Sequence, residues 1–94
     1  MRFAIIYRPK ESPARKQIGQ IVQDMAGWMQ TYGDRLENVH FFVGGGGFGT
    51  IETDDAAELT KMITENPFTI HSEVEIKPLV DPATAIGILQ ESYS

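Results

Sequence analysis

The sequence contains two side chains that titrate near neutral pH without help from their surroundings, His40 and His71. His40 lies in an apolar run after Val39, and His71 lies between a predicted helix and a predicted strand. Either imidazole at the rim of a pocket could act as a general acid or base. The alternative for each is a packed or solvent-exposed histidine without a chemical role, and the sequence leaves it open.

The spacing of these histidines does not favour a metal site. A metal ion needs further nitrogen or oxygen ligands, and the sequence has no His-x-His, His-x-x-x-His or His-Glu-x-x-His pattern. It also lacks cysteine and the Gly-x-Ser-x-Gly motif of a nucleophilic serine. Asp54 and Asp55 form a carboxylate pair, but capping of a helix explains both. We therefore expect neither a metal nor a cofactor.

A glycine run over residues 44–49 formally fits Gly-x-Gly-x-x-Gly. A dinucleotide site needs a helix after this motif, whereas a strand is predicted here, so a hairpin is favoured. Gly47 and Gly49 share one side of that strand. The missing side chains would leave a hollow for a ligand between the sheet and the helices.

Aromatic residues supply the other candidates for a site. Tyr7 ends the first predicted strand, and its hydroxyl could orient a substrate carbonyl or phenol, or could simply point into water. Trp28, Phe42 and Phe68 could form the apolar wall of a pocket. Packing in the core is the alternative for Trp28 and Phe68.

Hydrophobic periodicity predicts the elements that must position these side chains. Ser12 and Pro13 are typical of a helix start, with Ser12 as N-cap. The order is strand, helix, strand, strand, helix, strand and a short final helix, a ferredoxin-like βαββαβ pattern of the α+β class. The predicted strands are 3–7, 39–43, 48–53 and 74–79, and the predicted helices are 13–32, a second one from Asp55 to the Asn66-Pro67 pair, and a third after Asp81-Pro82.

The first predicted strand is apolar on both sides, which is typical of a strand in the middle of a sheet. With both helices on one face, Ala4 and Ile6 face the other, which no remaining element covers. A second copy packing sheet to sheet would cover this face. The sequence therefore predicts a homodimer.

Composition limits the class of protein. The chain has 94 residues, 41% hydrophobic and 22% charged, and a net charge of −5, which predicts one globular domain over residues 1–94. An acidic chain does not favour nucleic acid as a partner. No apolar run reaches the roughly 20 residues that span a bilayer, and no signal peptide is recognised. We therefore expect no membrane partner and a cytoplasmic location.

Two segments of the second half resemble known proteins. Residues 47–59, GFGTIETDDAAEL, resemble a hairpin-to-helix segment of small dimeric α+β barrel proteins. Asn66-Pro67-Phe68, followed by the segment at residues 73–79, resembles the matching end of the muconolactone isomerase-like group, and also a family of small uncharacterised bacterial proteins. The resemblance covers residues 36–84 and the first strand.

The resemblance implies a ferredoxin-like subunit, a dimer through the sheet faces, and a pocket between sheet and helices in each subunit. Relatives in this superfamily include isomerases, polyketide cyclases and cofactor-free monooxygenases. Several of the cyclases carry a histidine after the second helix, where His71 lies here. The histidine that some carry on the first strand is replaced by Phe3 or Ile5.

These observations lead to two hypotheses. The first is a cofactor-free isomerase or cyclase that moves a proton on a lactone, enone or polyketide-like carbonyl compound. His71 would be the acid or base, His40 the second choice, and Tyr7 would orient the substrate oxygen. The second hypothesis is a non-catalytic dimeric module that binds a small ligand or a partner. Whether either histidine reaches the pocket distinguishes the two.

Overall fold

A computed structural model describes residues 1–93, whose four strands form one antiparallel sheet in the order β2-β3-β1-β4. Ser94, the last residue of the predicted domain, lies outside the described residues. The strands are β1 (Arg2–Pro9), β2 (Leu36–Phe41), β3 (Gly47–Glu52) and β4 (Ser72–Leu79). The helices are α1 (Arg15–Tyr32), α2 (Ala56–Glu65) and α3 (Pro82–Tyr93), and 3-10 turns cover Gly33–Arg35 and Thr69–His71. The predicted ferredoxin-like α+β fold is confirmed.

Strand β1 lies in the interior of the sheet, between β3 and β4, which agrees with its two apolar faces. Ile5 stands opposite Gly49 of β3 and Ile76 of β4. Its side chain packs in a small buried core with Ile51 of β3 and with Leu59 and Met62 of α2. The core therefore lies between the middle of the sheet and α2.

Helix α2 begins as the sequence predicts. The Asp55 carboxylate accepts hydrogen bonds from the backbone N–H groups of Ala57 at 2.9 Å and Glu58 at 3.2 Å. Glu58 does not bond back to the Asp55 N–H, because its carboxylate pairs with Arg35 at 2.5 Å. The Asp55 N–H donates instead to the Thr53 hydroxyl at 3.0 Å.

Helix α1 stands away from the sheet, and none of its residues is fully buried. The indole N–H of Trp28 in α1 donates a hydrogen bond to the Met62 carbonyl of α2 at 2.9 Å, which connects the two helices. The predicted cap at Ser12 is wrong, because the helix begins at Arg15 after Ala14 and has no side-chain cap. Proline at position 13 favours an extended Ser12, and the chain runs along the end of the sheet before it turns into the helix.

Strand β2 begins earlier and ends earlier than the predicted 39–43. Its register with β3 shifts between Glu37 and His40, and Asn38 has a φ of 53°. This bulge changes which residues face the helices, as bulges do. The predicted glycine hairpin is confirmed, with φ values of 97°, 115° and 83° at Gly44, Gly45 and Gly46.

Helix α3 extends away from the sheet and the other helices, and with it the molecule measures 58 × 25 × 19 Å. Its large apolar side chains are all exposed: Ile86, Ile88, Leu89 and Tyr93. Within residues 1–93, none of the helices is both long enough and apolar enough to cross a bilayer.

Candidate functional site

A cavity of about 700 Å³ lies between the sheet and α1, at the place where α1 stands off from the core. Residues of α1, α2 and the sheet line it, and most of them are apolar. The apolar lining includes Ile5, Val22, Met25, Trp28, Met29, Leu36, Val39, Met62, Ile63 and Phe68. Pockets of this size and character bind small organic molecules.

Seven of the eight site residues predicted from the sequence border this cavity: Tyr7, Trp28, Phe42, Gly47, Gly49, Phe68 and His71. The ring of Phe42, however, stacks on Phe48 at a centroid distance of 5.9 Å, so it does not form the predicted apolar wall. The eighth, His40, is not in its lining. The predicted hollow between sheet and helices thus coincides with the cavity.

His71 ends the 3-10 turn before β4, and its side chain is 17% exposed. Its Nδ1 atom is buried and has no hydrogen-bond partner among the described residues. Nε2 also has no hydrogen-bond partner among the described residues, but this atom is not buried. The accessible nitrogen of this imidazole is therefore Nε2.

Tyr7 is held by a chain of hydrogen bonds at the same end of the cavity. The Thr69 hydroxyl donates to the Ile63 carbonyl at 2.6 Å, which uses its only proton. The contact of 2.9 Å between the Tyr7 and Thr69 hydroxyl oxygens is then a bond donated by Tyr7. Burial raises the pKa of Tyr7 above its ordinary value, so the phenol stays protonated at neutral pH and offers its lone pairs.

Asn66 adds a buried amide to the cavity lining. Its side-chain oxygen accepts from the Phe68 backbone N–H at 2.9 Å. Among the described residues, no partner binds its side-chain NH₂ group. Asn66 thus retains unused donor capacity for a ligand.

His40 lies on the opposite face of the sheet. It pairs across the strands with Phe48, which pairs in turn with Ile6, and its ring stacks on Phe48 at a centroid distance of 5.6 Å. Strand alternation points His40 and Phe41 to opposite faces, and Phe41 is the one that lines the cavity. The acid–base role expected of His40 at a pocket rim therefore has no support from the geometry.

Gly47 and Gly49 line the cavity for different reasons. A Cβ at Gly47 would lie 2.7 Å from the His40 carbonyl oxygen, so close approach of β2 requires glycine there. A Cβ at Gly49 would meet Val39 Cγ2 at 3.4 Å, an ordinary contact. Gly49 leaves space in the cavity, whereas Gly47 permits the packing of two strands.

Glu11, Asn66 and Thr69 are polar residues of the site that the sequence did not predict. Each lies in a connecting segment, where no periodicity indicates which side chain faces inward. The Asn66-Pro67 pair was recognised as a helix end, but the burial of Asn66 depends on how the following turn packs. Among residues 1–93, no cluster of three or more His, Cys, Asp or Glu side chains could hold a metal ion.

Comparisons with known proteins identify the family and support the fold. Residues 1–93 match the family model of DUF3303, a domain of unknown function, and the chain belongs to that family. No curated protein matches the sequence.

A solved structure with a similar fold is 5-chloro-2-hydroxyhydroquinone dehydrochlorinase from Burkholderia phenoliruptrix AC1100, in complex with 2,5-dihydroxybenzoquinone. The TM-score is 0.71 at 12% sequence identity, over 89% of this chain and 98% of the other. At this identity the similarity shows the fold. The resemblance to the α+β barrel proteins is thereby confirmed at the level of the fold, and neither comparison names the muconolactone isomerase group.

Proposed function

We propose that this protein is a small-molecule isomerase or cyclase that moves a proton without a cofactor. The observation that supports it is the position of His71, a residue that lines an apolar cavity and whose Nε2 is the accessible ring nitrogen. The substrate would be a lactone, an enone or a polyketide-like carbonyl compound. Removal of a proton from the carbon next to its carbonyl gives an enolate, and return of the proton to another carbon completes an isomerisation.

His71 is the base in this scheme, because a neutral imidazole nitrogen can take a proton near neutral pH. The developing enolate oxygen needs a donor, and the free NH₂ group of Asn66 in the lining supplies one. The Tyr7 hydroxyl gives its proton to Thr69, so its lone pairs would orient a hydroxyl group of the substrate. Few polar groups line the cavity, so hydrogen bonds to the enolate are strengthened relative to water.

Trp28 and Phe68 supply flat apolar surface for a planar ring. The solved structure with a similar fold holds 2,5-dihydroxybenzoquinone, a planar ring that combines enone carbonyls with enolic hydroxyl groups. The lone pairs of Tyr7 suit such a hydroxyl. We propose planar hydroxylated enones as the first substrate class to examine.

A non-catalytic dimeric module that binds a small ligand or a partner is the second candidate. The exposed apolar side of α3 supports a partner-binding role. The position of His71 favours the enzyme, because a binding module does not need an imidazole in the cavity wall.

The first experiment measures binding and proton exchange. Trp28 is the one tryptophan of the sequence, so quenching of its fluorescence reports binding of 2,5-dihydroxybenzoquinone in the cavity. Proton NMR in D₂O then follows exchange at carbons next to the carbonyl in a panel of cyclic enones and lactones. We expect the protein to accelerate exchange for part of the panel.

The matched variants are His71→Ala and His40→Ala, which remove the same side chain from opposite faces of the sheet. Exchange should be lost in His71→Ala and retained in His40→Ala. Binding without exchange in the unmodified protein would favour the binding module, and equal exchange in both variants would contradict the role of His71.

A further inference from the structure

The segment that follows β1 brings a carboxylate to His71. The backbone N–H groups of Lys10 and Glu11 both donate to the His71 carbonyl, at 3.0 and 3.4 Å. These bonds hold the segment against the 3-10 turn. As a result, Glu11 Oε1 lies 3.7 Å from His71 Nδ1.

That Nδ1 atom is buried without a partner, whereas buried polar atoms are almost always hydrogen-bonded. Among the residues that the structure describes, three titratable side chains line the cavity: Tyr7, Glu11 and His71. The proton of Tyr7 is already donated to Thr69. Glu11 is thus the charged group of the lining that can serve Nδ1. Its side chain is 65% exposed, so a small rotation can close the remaining distance.

We propose that Glu11 is the positioning residue of His71: its carboxylate accepts the Nδ1–H hydrogen bond and so keeps the Nε2 lone pair directed to the cavity. The inference rests on the proposed function for its catalytic meaning, but the arrangement exists without any substrate. Which nitrogen of a histidine carries the proton is set by the hydrogen bond that the other makes. The carboxylate also stabilises the imidazolium that forms when Nε2 takes a proton.

The tautomer of His71 can be measured directly on the protein without ligand. Two-dimensional ¹H–¹⁵N NMR of the histidine ring, recorded at a pH of about 8.5 where an ordinary histidine is neutral, identifies the protonated nitrogen. We expect the Nδ1–H form to dominate in the unmodified protein. In Glu11→Ala the ratio of the Nδ1–H form to the Nε2–H form should fall roughly three- to tenfold, the size expected for loss of one hydrogen bond.

Two further variants make the test specific. Glu11→Gln keeps an acceptor oxygen and should restore most of the Nδ1–H form. Glu73→Gln removes a carboxylate that is also close to His71 in sequence. Glu73 pairs with Arg8, so its side chain lies on the sheet face opposite to that of Tyr7 and the cavity. This variant should leave the tautomer unchanged.

A dominant Nε2–H form in the unmodified protein, or an unchanged ratio in Glu11→Ala, would overturn the proposal. Because this measurement needs no substrate, it is independent of the exchange assay that tests the function. Loss of exchange in Glu11→Ala with rescue by Glu11→Gln would then connect the two.

Discussion

Polar side chains of the cavity gather where β1 ends and where the 3-10 turn before β4 begins. Thr69 and His71 belong to the same turn, and Thr69 joins that turn to Tyr7 through the hydroxyl contact of 2.9 Å. The rest of the lining is mainly apolar. A ligand would therefore place its oxygen atoms at this end and its hydrocarbon surface against α1.

The role of His71 predicts a specific loss of rate. Once a substrate is found, His71→Ala should lower kcat by roughly 10²- to 10⁴-fold, the usual contribution of a positioned acid or base. His71→Gln should be nearly as damaging, because the amide is polar but cannot take up the proton. Steady-state kinetics with circular dichroism as a folding control makes the measurement. Turnover near that of the unmodified protein in His71→Ala would exclude the role.

Tyr7 predicts a dependence of stability on alkaline pH. Burial raises the pKa of Tyr7 above its ordinary value of 10.0, so above that pH the unfolded chain loses the phenolic proton before the folded chain does. The contribution of the protonated Tyr7 to the free energy of unfolding is therefore complete below pH 10. This contribution is lost as the pH rises through the pKa of Tyr7 in the folded protein. Urea unfolding of the protein and of Tyr7→Phe at pH 8 and pH 11 measures it. The stability of the unmodified protein should fall more between these pH values, and equal changes in both proteins would contradict the prediction.

At the scale of elements, the hairpin of β2 and β3 predicts opposite outcomes for its two strand glycines. Gly47→Ala should destabilise the protein by roughly 1–3 kcal/mol, the usual cost of overpacking, because its Cβ would lie 2.7 Å from the His40 carbonyl oxygen. Gly49→Ala should be tolerated, since its closest contact is 3.4 Å. Urea denaturation of both variants gives the comparison, and equal stabilities would show that β2 can move.

Gly49→Val extends this test to the cavity. Valine suits a strand, so the variant should fold, and its methyl groups would occupy space that the cavity now offers. Quenching of Trp28 fluorescence should show weaker binding of 2,5-dihydroxybenzoquinone. Unchanged affinity in a folded variant would place the ligand elsewhere.

The helices and strands could be predicted from the sequence, but some of their first and last residues could not. Asp55 and the Asn66-Pro67 pair marked the limits of α2 correctly, because capping chemistry is local. The start of β2 was missed because the bulge at Asn38 interrupts the alternation that predicts strands. The bulge depends on pairing with β3, which is a tertiary contact.

The same limit applies to the site. Strand alternation was sufficient to place Gly47 and Gly49 on one side of β3, and both line the cavity. Tyr7 lines it as well, because it stands opposite Gly47 in the sheet. His40 could not be assigned to a face, because the bulge changes the alternation just before it. Glu11 was missed because backbone bonds from a loop to a distant turn leave no pattern in the sequence.

Among residues 1–93, two patches of apolar side chains lack a cover within the single chain. One is the sheet face turned away from α1 and α2, called the outer face, where Ala4, Ile6 and Phe48 lie near the centre. Charged side chains stand beside them, since Glu75 and Lys77 of β4 pair with Ile6 and Ala4. Ion pairs on this face include Arg2–Glu37 at 3.5 Å and Arg8–Glu75 at 3.1 Å. The other is the apolar side of α3.

These surfaces predict a homodimer in which each chain contributes its outer face and the apolar side of its α3 to the interface. Four strands are about 19 Å wide at the usual spacing, and six residues are about 20 Å long, which gives roughly 400 Å² of projected area for the outer face. A stable interface buries about 800 Å² of accessible surface on each partner. We therefore expect α3 to add the remaining surface by packing against the second copy.

Light scattering at micromolar concentration should give twice the chain mass of 10.5 kDa. Ile6→Glu places a carboxylate at the centre of the outer face and should give a monomer, because an unpaired buried charge is costly at an interface. Gln23→Glu adds the same charge on an exposed position of α1 and should leave the dimer intact. Removal of residues 81–94 should weaken association without unfolding the sheet, since α3 lies outside the core. A monomeric mass for the unmodified protein would contradict the dimer, and a dimer that survives Ile6→Glu would place the interface on another surface.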